Sequence, residues 1–238
     1  MTGTLFVINP NSSAVVTAGI AEAVAPLGRM GAPIECLTLA EGPPGIESQA
    51  QADETVAPML RLAATLEDRA AGFVIACFGD PGVHALRDRT RKPVIGIQEA
   101  AVAPEPASAE VKAESAAPAL TLGQRFGIIA ILPRSIPRHL RSLGAMGVLG
   151  RLAGDRALGL GVAELAQPAR TEARLIETGR ALRDMDGAEV LILGCAGMAR
   201  YRARLEDALG LPVIDPCQVA VATALGRIAL GLRHGAPG

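Results

Sequence analysis

The fold class that the sequence predicts is α/β, built as two similar lobes, and three observations predict it. Short apolar runs rich in Val and Ile alternate with longer Ala/Leu/Arg segments of helical period, the pattern of parallel strands joined by crossover helices. One order of elements (strand, cysteine, turn, helix, proline-led strand) occurs twice, at an offset of about 118 to 123 residues. The chain's 238 residues suit one large or two small domains, with half of them apolar, so a core forms without disulfide or metal staples.

The expected strands are Leu5 to Asn9, Ile34 to Leu39, Phe73 to Ala76 and Val94 to Ile97 in the first half. Those of the second half are Phe126 to Leu132, Leu158 to Val162, Val190 to Leu193 and Val213 to Asp215. Within the repeat, Cys77 follows its strand and precedes Pro93 by 16 residues, while Cys195 precedes Pro212 by 17. The openings correspond as well: Thr4 to Asn9 leads into Pro10 and Ser12-Ser13, and Arg125 to Leu132 leads into Pro133 and Ser135. The expected division is a first lobe over 1–98 completed by 213–238, an Ala/Pro-rich connector over 99–124, and a second lobe over 125–212. Two such lobes face to face bring equivalent strand ends, and with them the two thiols, to opposite walls of one cleft, because open parallel sheets bind ligands beyond the carboxyl ends of their strands.

Composition narrows the function. Lys and Arg number 23 against 24 Asp and Glu, and the aromatics are one Tyr and four Phe with no Trp. A nucleic-acid partner wants a basic face and stacking rings, so that class is set aside. The densest apolar stretch, Val190 to Ala199, is about half of a membrane span, so no membrane partner is expected. Leu5 to Ile8 runs directly into Asn9-Pro10-Asn11 and lacks the basic lead of an export signal, which gives a cytoplasmic expectation. No phosphate-binding loop occurs, and the Gly159-Leu160-Gly161 run lacks the third glycine of a dinucleotide fingerprint. His84, His139 and His234 have no metal-ligand partners at suitable spacing and read as surface or packing residues. Arg134, Arg138 and Arg141 read as a solvated helix face. The cysteines at 36, 77, 195 and 217 show no Cys-x-x-Cys spacing and are expected as free thiols, with Cys36 and Cys217 in packing roles.

Cys77 and Cys195 each sit between a buried strand and a helix start. Asp80 is expected to cap the helix after Cys77 with Pro81 in its first turn, and a helix after Cys195 is expected from Gly197 onward. A helix N-terminus favours the thiolate, so both thiols are expected below the reference of about 8.5. Weak acids on opposite sides of a carbon suit removal of a proton from one face and delivery of another to the opposite face. That is racemisation or epimerisation.

These residues carry a resemblance. Asn9-Pro10-Asn11-Ser12-Ser13, Gly42 to Glu47, Cys77-Phe78-Gly79-Asp80-Pro81-Gly82, Pro93 to Ile97 and Gly194-Cys195-Ala196-Gly197-Met198 together resemble the hydantoin racemase branch of the aspartate/glutamate racemase superfamily. The resemblance implies two pseudosymmetric lobes, no pyridoxal phosphate or metal, and Cys77 and Cys195 as opposed acid and base. It also implies substrate contacts from Asn9, Ser13, Phe78, Gly79, Ala196 and Gly197. Amino-acid racemases of the superfamily usually follow their cysteines with Asn-Thr and Thr-His. Phe78-Gly79 and Ala196-Gly197 fit a neutral 5-substituted hydantoin or allantoin-like ring better. Ala130-Ile131 stands where relatives often offer threonine hydroxyls, and the connector is about a dozen residues longer than the family suggests. The connector reads as a solvated linker, interrupted by Pro104, Pro106 and Pro118. The expected partners are a small-molecule substrate and further copies of the chain. The alternatives are an amino-acid racemase or diacid isomerase/decarboxylase of the superfamily, or a two-lobed binding protein without chemistry.

Overall fold

A computed structural model describes residues 3–102 and 119–235. The first sheet contains β1 (Thr4–Asn9), β2 (Ile34–Thr38), β3 (Ala70–Ile75) and β4 (Val94–Gly96), and the second contains β5 (Phe126–Ala130), β6 (Leu152–Ala157), β7 (Val190–Leu193) and β8 (Val213–Ile214). The helices in chain order are α1 (Ala14–Val24), α2 (Gln49–Glu54), α3 (Val56–Leu66), α4 (Val83–Arg87), α5 (Ile97–Val102), α6 (Ala119–Leu122), α7 (Ile136–Ala145), α8 (Pro168–Asp184), α9 (Arg202–Leu209) and α10 (Pro216–Ala229). All strand pairings are parallel, and the orders β2-β1-β3-β4 and β6-β5-β7-β8 are the same. The two lobes are therefore copies of one topology.

The strands read as continuous apolar runs because both faces of each sheet are covered. Leu5, Val7, Val74, Phe126, Ile128, Val190 and Ile192 point into one core shared by the two sheets, together with residues of α1, α5 and α10. Their alternates face outward: Phe6, Ile8, Phe73 and Ile75 join α3 and α4, while Ile129, Leu191 and Leu193 join α8 and α9. Period-two alternation thus divides the central strands β1, β3, β5 and β7 between a private outer core and the common inner one.

Three boundaries differ from the sequence expectation. The sixth strand is Leu152–Ala157, not 158–162, and it lies at an edge of its sheet. Its half-buried residues Leu-Ala-Gly-Asp-Arg-Ala carry no apolar alternation, whereas Leu158 and Leu160, in the following loop, are buried in the second lobe's core. Residues 213–238 were expected to complete the first lobe. Of these, β8 pairs with β7 in the second sheet, and α10 crosses back to pack on β3, β4 and α5. The expected connector begins inside α5, where Ala100, Ala101 and Val102 are buried against the common core. Its ends are packed structure, and Pro104, Pro106 and Pro118 lie outside the described residues. Among the described residues no helix is long and apolar enough to cross a membrane.

Candidate active site

In each sheet the chain winds in opposite senses on the two sides of a central strand, β1 or β5, so a crevice opens beyond the carboxyl ends of β1 and β3 and of β5 and β7. Cys77 follows β3 and Cys195 follows β7. Both are free and half-buried. They are near enough to interact: a charge on Cys195 raises the pKa of Cys77, and both feel Arg138.

The two loops that carry the thiols are built differently. After Cys77 the backbone passes through the left-handed region at Gly79 (φ 110°), Asp80 (φ 50°) and Gly82 (φ 72°), so α4 begins only at Val83 with Gly82 before it. Asp80 does not cap that helix. Its carboxylate instead accepts from the backbone N–H groups of Gln98 and Glu99, both at 2.8 Å, and so closes the first turn of α5 on the neighbouring strand. Gly96 makes this reach feasible, because a Cβ there would lie 2.2 Å from the Asp80 Cγ. Burial and the nearby Glu99 push the Asp80 carboxyl up to about 7. After Cys195, by contrast, a 3-10 helix starts at once, from Ala196 to Tyr201.

Burial governs both thiols. Cys77 is pushed up to about 12 and Cys195 to about 11, so the lowering expected from helix N-termini does not prevail. The helix effect survives in one place, where the Gly197 N–H acts on the Cys195 sulfur and lowers it. The Cys77 thiol donates to the Phe78 carbonyl at 3.8 Å. Cys217 is fully buried in the common core, and Cys36 packs against that core from β2.

Of the other expected contacts, Ser13, Ala196 and Gly197 come together around a cavity of about 220 Å³ that Val16, Val162 and Leu165 complete with apolar wall. The Ser13 hydroxyl also caps α1 by accepting from the Val16 N–H. Asn9 is fully buried, and its side-chain amide donates to the Asn11 carboxamide, the Ser13 carbonyl and the Thr17 hydroxyl. This network shapes the turn between β1 and α1. Phe78 packs edge-on against His139 of α7, with ring centroids 4.9 Å apart. His139 in turn shares a buried 2.8 Å hydrogen bond with Asp155. Among the described residues no group of three His, Cys, Asp or Glu side chains is placed to hold a metal ion.

Arg134, in the 3-10 turn before α7, and Arg138 and Arg141 of α7 differ most from their sequence reading. Arg134 pairs with Glu47, Arg138 donates to the Ser48 carbonyl at 3.2 Å and the Phe78 carbonyl at 3.4 Å, and Arg141 donates to the Gln49 side chain at 2.8 Å. All three cross from the second lobe to the first. Arg138 is only 9% exposed, so it belongs to the cleft and not to a solvated face.

The profile of the Asp/Glu/Hydantoin racemase family matches residues 5–224. The chain belongs to that family. Over 95% of its length it is 35% identical to a hydantoin racemase of Paenarthrobacter aurescens, covering 92% of that relative. Its fold superposes on an allantoin racemase from Klebsiella pneumoniae with TM-score 0.82 at 32% identity, over 98% of this chain and 90% of that one. An allantoin racemase from Pseudomonas fluorescens gives 0.84 at 26% identity, over 98% and 93%.

Proposed function

We propose that the chain is a racemase of 5-substituted hydantoins or allantoin-like rings, in which Cys77 and Cys195 exchange a proton with opposite faces of the stereocentre and no cofactor takes part. The observation that carries this reading is the placing of the two thiols at equivalent strand ends of two like sheets, within electrostatic reach of each other. One sulfur takes the hydrogen beside the ring carbonyl as the enolate forms, and the other gives its proton to the far face. Backbone N–H groups in the two glycine-bearing loops suit the oxygen on which charge develops.

The reaction needs exactly one proton between the two sulfurs, and the electrostatics support that state. The Gly197 N–H favours the Cys195 thiolate. The charge of that thiolate raises Cys77 and keeps the second proton in place. Since burial raises both thiols, the singly ionised pair grows as pH rises from neutrality, and activity grows with it until the second proton is lost.

The reading is tested by incubating single enantiomers of 5-substituted hydantoins and allantoin in deuterium oxide, beside aspartate, glutamate and small diacids. The expected result is loss of optical rotation with deuterium at the stereocentre of the ring substrates, faster at pH 9 than at pH 7. Turnover of the amino acids or diacids alone, or tight ring binding without exchange, would overturn it.

A further inference from the structure

The two-cysteine reading leaves a charge to be held. A thiolate forms in a cleft whose burial opposes it, and around it stand Glu47 from the loop before α2, Asp80 from the loop after β3, and Cys217 from the first turn of α10. The influence of Asp80 on Cys77 and of Glu47 on Cys195 is unfavourable, and Cys217 stays protonated. One group of opposite sign faces both thiols. Arg138 extends from α7 until its Nη2 lies 3.4 Å from the Phe78 carbonyl, the same oxygen that accepts from the Cys77 thiol at 3.8 Å. Its Nε is buried and without a hydrogen-bond partner among the described residues. It lies over Gly79, where a Cβ would stand 2.7 Å from it. The neighbouring residue on α7, His139, is engaged with Asp155.

Resting on that reading, we propose that Arg138 is a positioning residue for the proton exchange: reaching across from the second lobe, its guanidinium holds the negative charge of the singly ionised Cys77–Cys195 pair. When Cys77 carries the charge, it can no longer donate to the Phe78 carbonyl, and the guanidinium already bonded to that oxygen is the nearest compensating group. When Cys195 carries it, the same guanidinium lowers its energy. A single cation shared by two thiols stabilises the negative charge wherever it sits as the proton moves between them. The field also depends on lobe contact, because the arginine belongs to one lobe and its carbonyl partners to the other.

The test is the rate of iodoacetamide alkylation at Cys77 and Cys195, read peptide by peptide between pH 7 and pH 10, in the native protein and in Arg138→Met, Arg138→Lys and Arg141→Gln. Arg138→Met is expected to slow both cysteines about tenfold, the loss that follows from about one unit of thiol pKa. Arg138→Lys keeps the charge and restores most of the rate. Arg141→Gln removes an exposed interlobe contact and its charge but leaves the Arg138 guanidinium in place, and its profile should match the native one. Native rates in Arg138→Met, equal slowing in Arg138→Lys, or equal slowing in Arg141→Gln would each overturn the proposal. Alkylation needs no substrate, so a protein that racemises none of the rings would defeat the functional reading while this measurement still decided the role of Arg138.

Discussion

The loops after Cys77 and Cys195 occupy matching places in two copies of one topology, yet they solve the problem of turning away from a strand in opposite ways. The first uses a run of left-handed residues and fixes it with a carboxylate that reaches 18 residues along the chain, from Asp80 to Gln98. The second uses no left-handed residue between Cys195 and Tyr201 and enters a 3-10 helix directly. The helix after the last strand of each sheet shows the same divergence. Asp80 closes α5 from a distant loop, whereas Asp215 caps α10 from its own N-cap position, accepting from the Cys217 N–H at 2.9 Å. The two lobes hold the sulfurs at matching positions while the backbone around them differs. The two thiols therefore have unequal surroundings, with Cys195 relieved by a backbone N–H and Cys77 tied to a loop that Arg138 braces from the other lobe.

The sharpest way to probe this asymmetry is Gly79→Ala. An alanine at φ 110° is strained, and its Cβ would meet the Arg138 Nε at 2.7 Å, so a destabilisation of about 2–4 kcal/mol is expected together with loss of activity. Urea unfolding beside the same change at Gly197, where φ is unremarkable and the nearest heavy atom is 3.3 Å away, measures the difference. Equal losses at the two glycines would mean that the loops are not as distinct as their backbones indicate. A smaller contrast is expected from Asp80→Ala and Asp215→Ala. The first leaves two backbone donors unpaired, costing about 2 kcal/mol, and the second removes a single cap, costing about 1 kcal/mol. The same unfolding series checks the order, and a larger loss at Asp215 would reverse the assignment of Asp80 as the long-range closure of α5.

Much of the fold was legible because period-two apolar strands and a repeat spacing are written along the chain. Phe73 to Ala76 and Val190 to Leu193 are buried on both faces and announce themselves as strands. The edge strand β6 does not, because the charged residues Asp155 and Arg156, paired with His139 and Asp186, interrupt its apolar pattern. The cysteine positions were legible from the repeat. Of the surroundings that set their ionisation, Asp80 stands three residues from Cys77 in the chain and was legible, whereas Arg138 reaches the site from the other lobe and was not. At and just before α7, Arg134, Arg138 and Arg141 have the spacing of a wet helix face, and only the approach of residues 47–49 from the other lobe turns them into a clamp. Asn9 was readable as a polar residue at a strand end. Its burial within a turn network depends on Thr17 and Asn11 folding back onto it.

The most direct test of opposed thiols is deuterium wash-in at the stereocentre of each enantiomer of the accepted ring, measured separately with Cys77→Ser and Cys195→Ser. The account predicts that racemisation falls by about three orders of magnitude in both variants, while each retains exchange with one enantiomer only, and the two retain opposite ones. Racemisation at near-native rates in either variant, or exchange retained with the same enantiomer in both, would contradict it.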